Sequence, residues 1–262
     1  MTAFLAAIGL IFLGGSLSLL THSRKRLSTI TALVGLLAGS VVGLVPAVAV
    51  LARGESLLLR APWSVPMGSL SLGLDPISAL FVLPVLVLSP LAGVYGASYL
   101  EVWRGGKNLG ACWFFFNTLV ASMALVLTAR NGVLFLVAWE VMALASYFLV
   151  VFEDESEEVR QAGRTYLVAT HLSTAALLVL FLVLGGSSRS LDFDAFGIGS
   201  DSGRAASIVF LLAVIGFGTK AGFMPFHVWL PEAHPASPSH VSAVMSGVMI
   251  KTGIYGLVRT MT

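Results

Sequence analysis

Three apolar stretches long enough to cross a bilayer each carry an ionisable residue inside them. Lys220 lies in Ile208–Phe226, Lys251 in Val241–Val258 and Glu140 in Gly132–Phe152. A charge at the centre of a membrane helix costs about 2.5–3.5 kcal/mol on insertion scales, and it persists where it lines an ion path or pairs with a partner. A chain of this kind has to fold as a bundle that gives these side chains polar company.

The remainder of the sequence fits that constraint. It is 57% hydrophobic and 11% charged, with a mean hydropathy of +0.93. A hydrocarbon core about 30 Å thick takes roughly 20 apolar residues per helix. The pattern therefore predicts an all-α, polytopic transmembrane bundle of about eight spans, near residues 2–20, 28–52, 76–99, 111–129, 132–152, 165–185, 205–226 and 238–259. Ten-residue alternating strands of the barrel type are absent. The formal charge of +2, with no basic, aromatic-interleaved patch, argues against a nucleic-acid partner.

Met1–Leu20 has no basic residue ahead of its apolar run, whereas Arg24, Lys25 and Arg26 follow it. That order is not one of a cleaved signal peptide. It predicts an N-terminus outside and the basic cluster in the cytoplasm. The loop at 53–75 carries Pro62, Pro66 and Gly73 as turn formers, and Asp75-Pro76 is set to cap and open the third span. Glu153–Glu158 and the Gly/Ser-rich 185–203 loop with Asp192, Asp194 and Asp201 read as solvated connections.

Several chemistries have no parts here. Cys112 is the single cysteine, so thiolate-held iron–sulfur, nickel or zinc centres cannot be assembled from this sequence. P-loop and G-x-S-x-G patterns are also missing. No cofactor is expected on this chain, and iron–sulfur, nickel–iron or flavin groups of any redox system belong on partner subunits.

The seventh span is irregular. Gly216, Gly218, Gly222 and Pro225 surround Lys220, and proline removes a backbone donor and crowds the preceding turn. A broken helix is expected close to Lys220, with freed carbonyls at membrane depth. Lys251, roughly 14 residues into its span, lies about 20 Å deep at 1.5 Å per residue, beyond easy snorkelling. Glu140 supplies an opposite charge, and contact with Lys220 is expected. Such a pair reads either as a proton relay or as a static bridge between helices. His227, His234 and His240 cluster around the connector between spans seven and eight, and His171 lies in span six. Histidine titrates near neutrality and passes protons in either direction, so these four join Glu140, Lys220 and Lys251 as candidate proton-transfer groups.

Five segments carry a family resemblance: Trp139-Glu140, the run Gly216–His227, Trp229–His240, Met245–Gly253 and Leu74–Phe81. The chain resembles the antiporter-like subunits of respiratory complex I and of Mrp-type cation/proton antiporters. Within them it is similar to the branch of membrane-bound group 4 hydrogenases, the hydrogenase-4 component B and formate hydrogenlyase subunit 3 type. The resemblance implies that Glu140 and Lys220 are a controlling pair and Lys251 the connecting lysine of a proton channel. It divides the chain into three leading helices (1–110) and a first five-helix repeat (111–262). An inverted second repeat with its terminal charge is expected to be absent, and Thr174 stands where some relatives carry an acid. A subunit of a redox-driven proton-translocating complex in a prokaryotic cytoplasmic membrane follows, with lipid, other membrane subunits and a peripheral redox arm as partners. A Na⁺/H⁺ antiporter subunit and a structural anchor for a peripheral hydrogenase are the alternatives.

Overall fold

The structure, a computed structural model, describes residues 1–63, 68–186, 188–196 and 202–261. Pro66 and Asp201 lie outside the described residues. Spans one to six are the helices α1 (Thr2–Leu20), α2 (Lys25–Arg53), α3 (Pro76–Tyr99), α4 (Leu109–Thr128), α5 (Gly132–Val150) and α6 (Glu157–Gly185). α7 (Ser202–Ala221) is followed by a non-helical stretch and the short α8 (Leu230–Ala236). α9 (Ser239–Val244) then runs through a π-helical turn, Met245–Met249, into α10 (Ile250–Met261).

Seven of the described helices are long and apolar enough to cross a membrane, the last being the composite Ser239–Met261. The eighth expected span is the shorter apolar helix Ala205–Ala221. It belongs to α7, which ends beside Lys220, where the chain leaves the helix.

Small residues let the first two helices touch backbone to backbone. A Cβ on Gly35 would fall 2.5 Å from the Gly14 Cα, and one on Gly39 would fall 2.6 Å from the Ala7 carbonyl oxygen. This is how membrane helices associate when lipid competes for every apolar face. α4 is the central element, with 78% of its apolar window buried against 39% for α1 and for α2. The Asn117 amide fastens it there, donating to the carbonyls of Ile11 at 2.9 Å and Ala32 at 3.0 Å.

The loops gather at two ends. At one end, near Arg24, Lys107 pairs with Asp154 at 2.6 Å and also with Glu155. At the other end, segment 53–75 is more than a loop. It forms an antiparallel hairpin, β1 (Leu57–Ala61) with β2 (Leu70–Leu74), in the register Leu57↔Leu74 to Ala61↔Leu70. β1 alternates in exposure beneath its run of leucine, whereas Ser71 to Leu74 of β2 are all buried. The hairpin continues through a bridge from Leu72 to Ala129 and is tied to the next loop by Ser69, which donates to Asp192.

Asp75 caps α3 as its sequence suggested, accepting the Ser78 N–H at 2.8 Å with Pro76 in the first turn. It also accepts from Arg130 at 2.6 Å and from Arg259 at 2.8 Å. The start of α3, the α4–α5 turn and the end of α10 are thereby held together.

Candidate functional site

α7 stops one residue after Lys220, and the stop has a definite geometry. Gly222 takes φ +78°, a conformation that costs a side-chain-bearing residue but not glycine. The Phe223 N–H donates to the Gly218 carbonyl at 2.9 Å and the Gly222 N–H to the Thr219 carbonyl at 3.3 Å. These are the two bonds of a Schellman termination. The chain then turns through Phe223–Trp229 without helix, and the buried Trp229 indole N–H donates back to the Thr219 carbonyl at 2.8 Å.

The break thus belongs to Gly222 and to the Pro225 segment after it. Gly216 lies within unbroken helix and does other work, while Gly218 belongs to the stop through its carbonyl, and a Cβ on it would lie 3.1 Å from the Phe223 ring. A Cβ on Gly216 would sit 2.4 Å from Leu177 Cδ2, so this glycine admits α6 closely. Ser173 of α6 uses that approach to donate to the Gly216 carbonyl at 2.6 Å.

Lys220 is 1% exposed. Its ammonium donates to the hydroxyl of Tyr166 on α6 at 2.8 Å. The Tyr166 hydroxyl meets the Ser146 hydroxyl of α5, which donates in turn to the carbonyls of Met142 at 2.7 Å and Ala143 at 3.0 Å. Aromatic faces complete the enclosure, with the Lys220 nitrogen 5.1 Å from the Tyr166 ring centre and 5.9 Å from that of Trp139.

Glu140 does not make the expected contact with Lys220. Tyr166 occupies the place beside the ammonium, and Glu140 Oε2 lies instead 3.7 Å from His171 Nε2. The His171 Nδ1 is 2.9 Å from the Leu167 carbonyl, which fixes the ring with Nε2 toward the carboxylate. Glu140 remains within electrostatic reach of both Lys220 and Tyr166. Its Oε1 is buried without a hydrogen-bond partner. The coupling of Glu140 to Lys220 is therefore through space.

Lys251 is not buried within this chain. It is exposed just after the π-helical turn, donating to the Ser246 carbonyl at 3.1 Å, while Tyr255, one turn on, is fully buried. The π-turn had no sequence signal, and it sets the rotation at which Lys251 leaves the helix.

The histidines separate. His234 Nδ1 lies 3.1 Å from the Ser242 hydroxyl, its ring stacks on Trp229 at 6.3 Å, and burial pushes its pKa below the ordinary 6.5. His227 keeps a buried Nδ1 without a partner. His240 turns toward α3 and α4, boxed by Tyr99, Trp113 and Phe116, with neither ring nitrogen partnered. Lys220, Glu140 and His171 share one neighbourhood, with His234 behind Trp229; Lys251 and His240 look elsewhere.

Tyr166, Ser146 and Trp229 are the site residues that the charge-based reading overlooked. The signal for Tyr166 was a polar stripe at helical spacing in an apolar span. Tyr166, Thr170 and Ser173 are all buried, at positions i, i+4 and i+7.

Residues 129–262 match the family model described as NADH:quinone oxidoreductase/Mrp antiporter, TM. Over 254 residues the chain is 39% identical to hydrogenase-4 component B of Escherichia coli (strain K12), covering 97% of this chain and 36% of that protein. Over 207 residues it is 28% identical to NAD(P)H-quinone oxidoreductase chain 4 2 of Microcystis aeruginosa (strain NIES-843 / IAM M-2473), covering 78% of this chain and 36% of that one. It thus spans about a third of the length of these curated relatives. Its fold is that of a chain in the structure of the Mrp complex from Dietzia sp. DQ12-45-1b, with a TM-score of 0.82 at 23% identity over 97% of this chain and 28% of that chain.

Proposed function

This chain belongs to the NADH:quinone oxidoreductase/Mrp antiporter transmembrane family, and on that premise we propose that it is part of a membrane subunit that moves protons in step with redox chemistry on other subunits. The observation that carries the reading is Lys220. A fully buried lysine at a broken helix end has a neutral hydroxyl as its direct partner, and a carboxylate acts on it from beyond contact. A static bridge between helices would place the opposite charge against the ammonium. A lysine held by a hydroxyl can gain and lose its proton as Glu140 approaches or recedes, because burial opposes the charged form while a nearby anion favours it.

In this reading Lys220 takes a proton from the connector side, where His227 and His234 lie, and passes it toward Lys251, which faces the open side of the bundle. Residues 1–110 are the leading helices and 111–262 the repeat that carries the lysines. The Arg24 end faces the cytoplasm of a prokaryotic cell and the N-terminus lies outside. Redox groups sit on a peripheral arm carried by partner subunits, and none is bound by this chain. The second reading, a Na⁺/H⁺ antiporter subunit, is favoured by the inclusion of Mrp antiporters in the same family.

The test uses the complete complex in inverted membrane vesicles, comparing electron transfer with acidification of the lumen. Lys220→Ala and Glu140→Gln should assemble and transfer electrons while losing acidification. Unchanged acidification would leave the charges as helix glue and the subunit as an anchor. Acidification that requires Na⁺ would select the antiporter.

A further inference from the structure

We propose that Tyr166 is a positioning residue that holds Lys220 in both of its protonation states and so sets the proton affinity of the site. The inference rests on the reading of Lys220 as a proton carrier, and it concerns a residue to which neither the charge pattern nor the family motifs point.

The geometry restricts the hydrogen-bond directions. Ser146 donates to the backbone of its own helix. The lysine ammonium has only donors to offer. The Tyr166 hydroxyl between them must then accept from Lys220 and donate to Ser146. All three side chains are essentially without solvent exposure, so each unmade bond carries the full cost of a buried polar group.

When the proton leaves the Lys220 ammonium, the neutral amine presents a lone pair. The tyrosine hydroxyl then turns and donates its own hydrogen to that lone pair. Ser146 keeps its bonds to Met142 and Ala143 and gives up the one it accepted from Tyr166, which keeps its proton throughout. A carboxylate in the same place could serve only the charged lysine. A hydroxyl serves both states, which is why it is suited to a lysine that cycles between them.

Few other charges face this pair. α5 presents Glu140, acting through space, and the Trp139 ring. α6 presents Tyr166 itself, with His171 beside Glu140. The connector presents Trp229, whose ring meets Tyr166 at 5.1 Å, with His234 behind it. α10 packs on α7 through Gly253 and Gly256 and turns its Lys251 away.

The experiment measures the pH profile of redox-driven proton translocation by the complete complex in inverted vesicles, for the native protein, Tyr166→Phe, Ser146→Ala and Lys220→Ala. Tyr166→Phe removes the one hydroxyl among the described residues that accepts from the ammonium, so Lys220 should bind its proton about tenfold less tightly and the alkaline limb should move about one unit to lower pH. Ser146→Ala, which loosens the tyrosine hydroxyl without deleting it, should move the limb the same way by less. A Tyr166→Phe profile that superimposes on the native one, while Lys220→Ala abolishes translocation, overturns the role of Tyr166 and leaves the proton-carrier reading standing. If Tyr166→Phe does not assemble, the Ser146→Ala profile decides, and an unshifted one overturns the proposal. Translocation that survives Lys220→Ala removes the lysine from the path and overturns both.

Discussion

Asp75 and Arg259 meet at 2.8 Å although 184 residues separate them in sequence. Arg130 reaches the other carboxylate oxygen at 2.6 Å, and all three side chains are 11–14% exposed. One carboxylate thus closes the bundle at the end opposite Arg24, joining the first residue before α3 to the last turn of α10.

Asp75→Asn should separate the charge from the cap, since asparagine caps helices about as well as aspartate. Removing one partner of a largely buried ion pair costs about 3–5 kcal/mol, so a marked fall in the thermal midpoint of the detergent-purified complex is expected. A midpoint within error of the native one would mean that the cluster is solvated and contributes little.

The pH dependence of this contribution has a definite sign. Burial by itself would raise the Asp75 pKa above its ordinary 3.8, but hydrogen bonds from Arg259 and the Ser78 N–H, with the charges of Arg130 and Arg259, hold it well below. A depressed carboxylate stabilises the fold fully above its unfolded pKa and loses that stabilisation only as pH falls through the lower folded value. Between about pH 5 and 8 the gap between native and Asp75→Asn midpoints should therefore stay constant. Narrowing of the gap within that window would show that Asp75 titrates there.

Gly222→Ala tests the helix stop. Its φ of +78° disfavours any side chain, and a Cβ would lie 2.3 Å from Leu230 Cδ1. The left-handed conformation alone costs about 1–2 kcal/mol. The control is Gly9→Ala, where a Cβ meets nothing within 4 Å, and which should be neutral to within about 0.5 kcal/mol. Equal midpoints for the two variants would count against the termination geometry.

The legible part of this molecule was the part written in apolar length and misplaced charge. Each span from α1 to α5 appeared close to its expected limits, α6 began at Glu157, well ahead of its expected start at 165, and Lys220 could be picked out as the most constrained residue. The site around it was less legible because its partners are neutral. Tyr166 and Ser146 look like ordinary members of an apolar helix until α7 packs against them, and pairing charge with charge pointed to Glu140 instead. Gly216 shows the same limit. It looked like part of a break and is a contact surface for Leu177, a distinction that depends on a neighbouring helix and leaves no local trace. The π-turn before Lys251 likewise comes from tertiary packing.

His234 provides a second pH signature, outside the spans. Burial holds its pKa below 6.5, so the folded protein favours the neutral ring. The stability from that neutral ring is present above about pH 6.5 and is lost as pH falls through the lower folded value. Acidification from about pH 7 to 5 should lower the native thermal midpoint more than that of His234→Gln, which has no proton to take up. Parallel pH profiles would place the ring in solvent.

Trp229 ties the connector to the lysine helix, and Trp229→Phe tests that tie. The indole N–H donates to the Thr219 carbonyl at 2.8 Å, and the ring sits between Tyr166 at 5.1 Å and His234 at 6.3 Å. Phenylalanine keeps most of the apolar contact and deletes the donor. The Thr219 carbonyl is then left with the Gly222 N–H at 3.3 Å, a long bond that cannot replace it. A neutral hydrogen bond is worth about 1 kcal/mol net, so local opening of the connector should become about fivefold more frequent. Hydrogen exchange of the complete complex is the direct readout. Amides from Phe223 to Trp229 should exchange faster in the variant, while those of α1 and α2, whose packing does not involve Trp229, should not change. Unaltered exchange in the connector would mean that apolar packing alone holds it, and that the freed Thr219 carbonyl plays no part in fastening the broken helix beside Lys220.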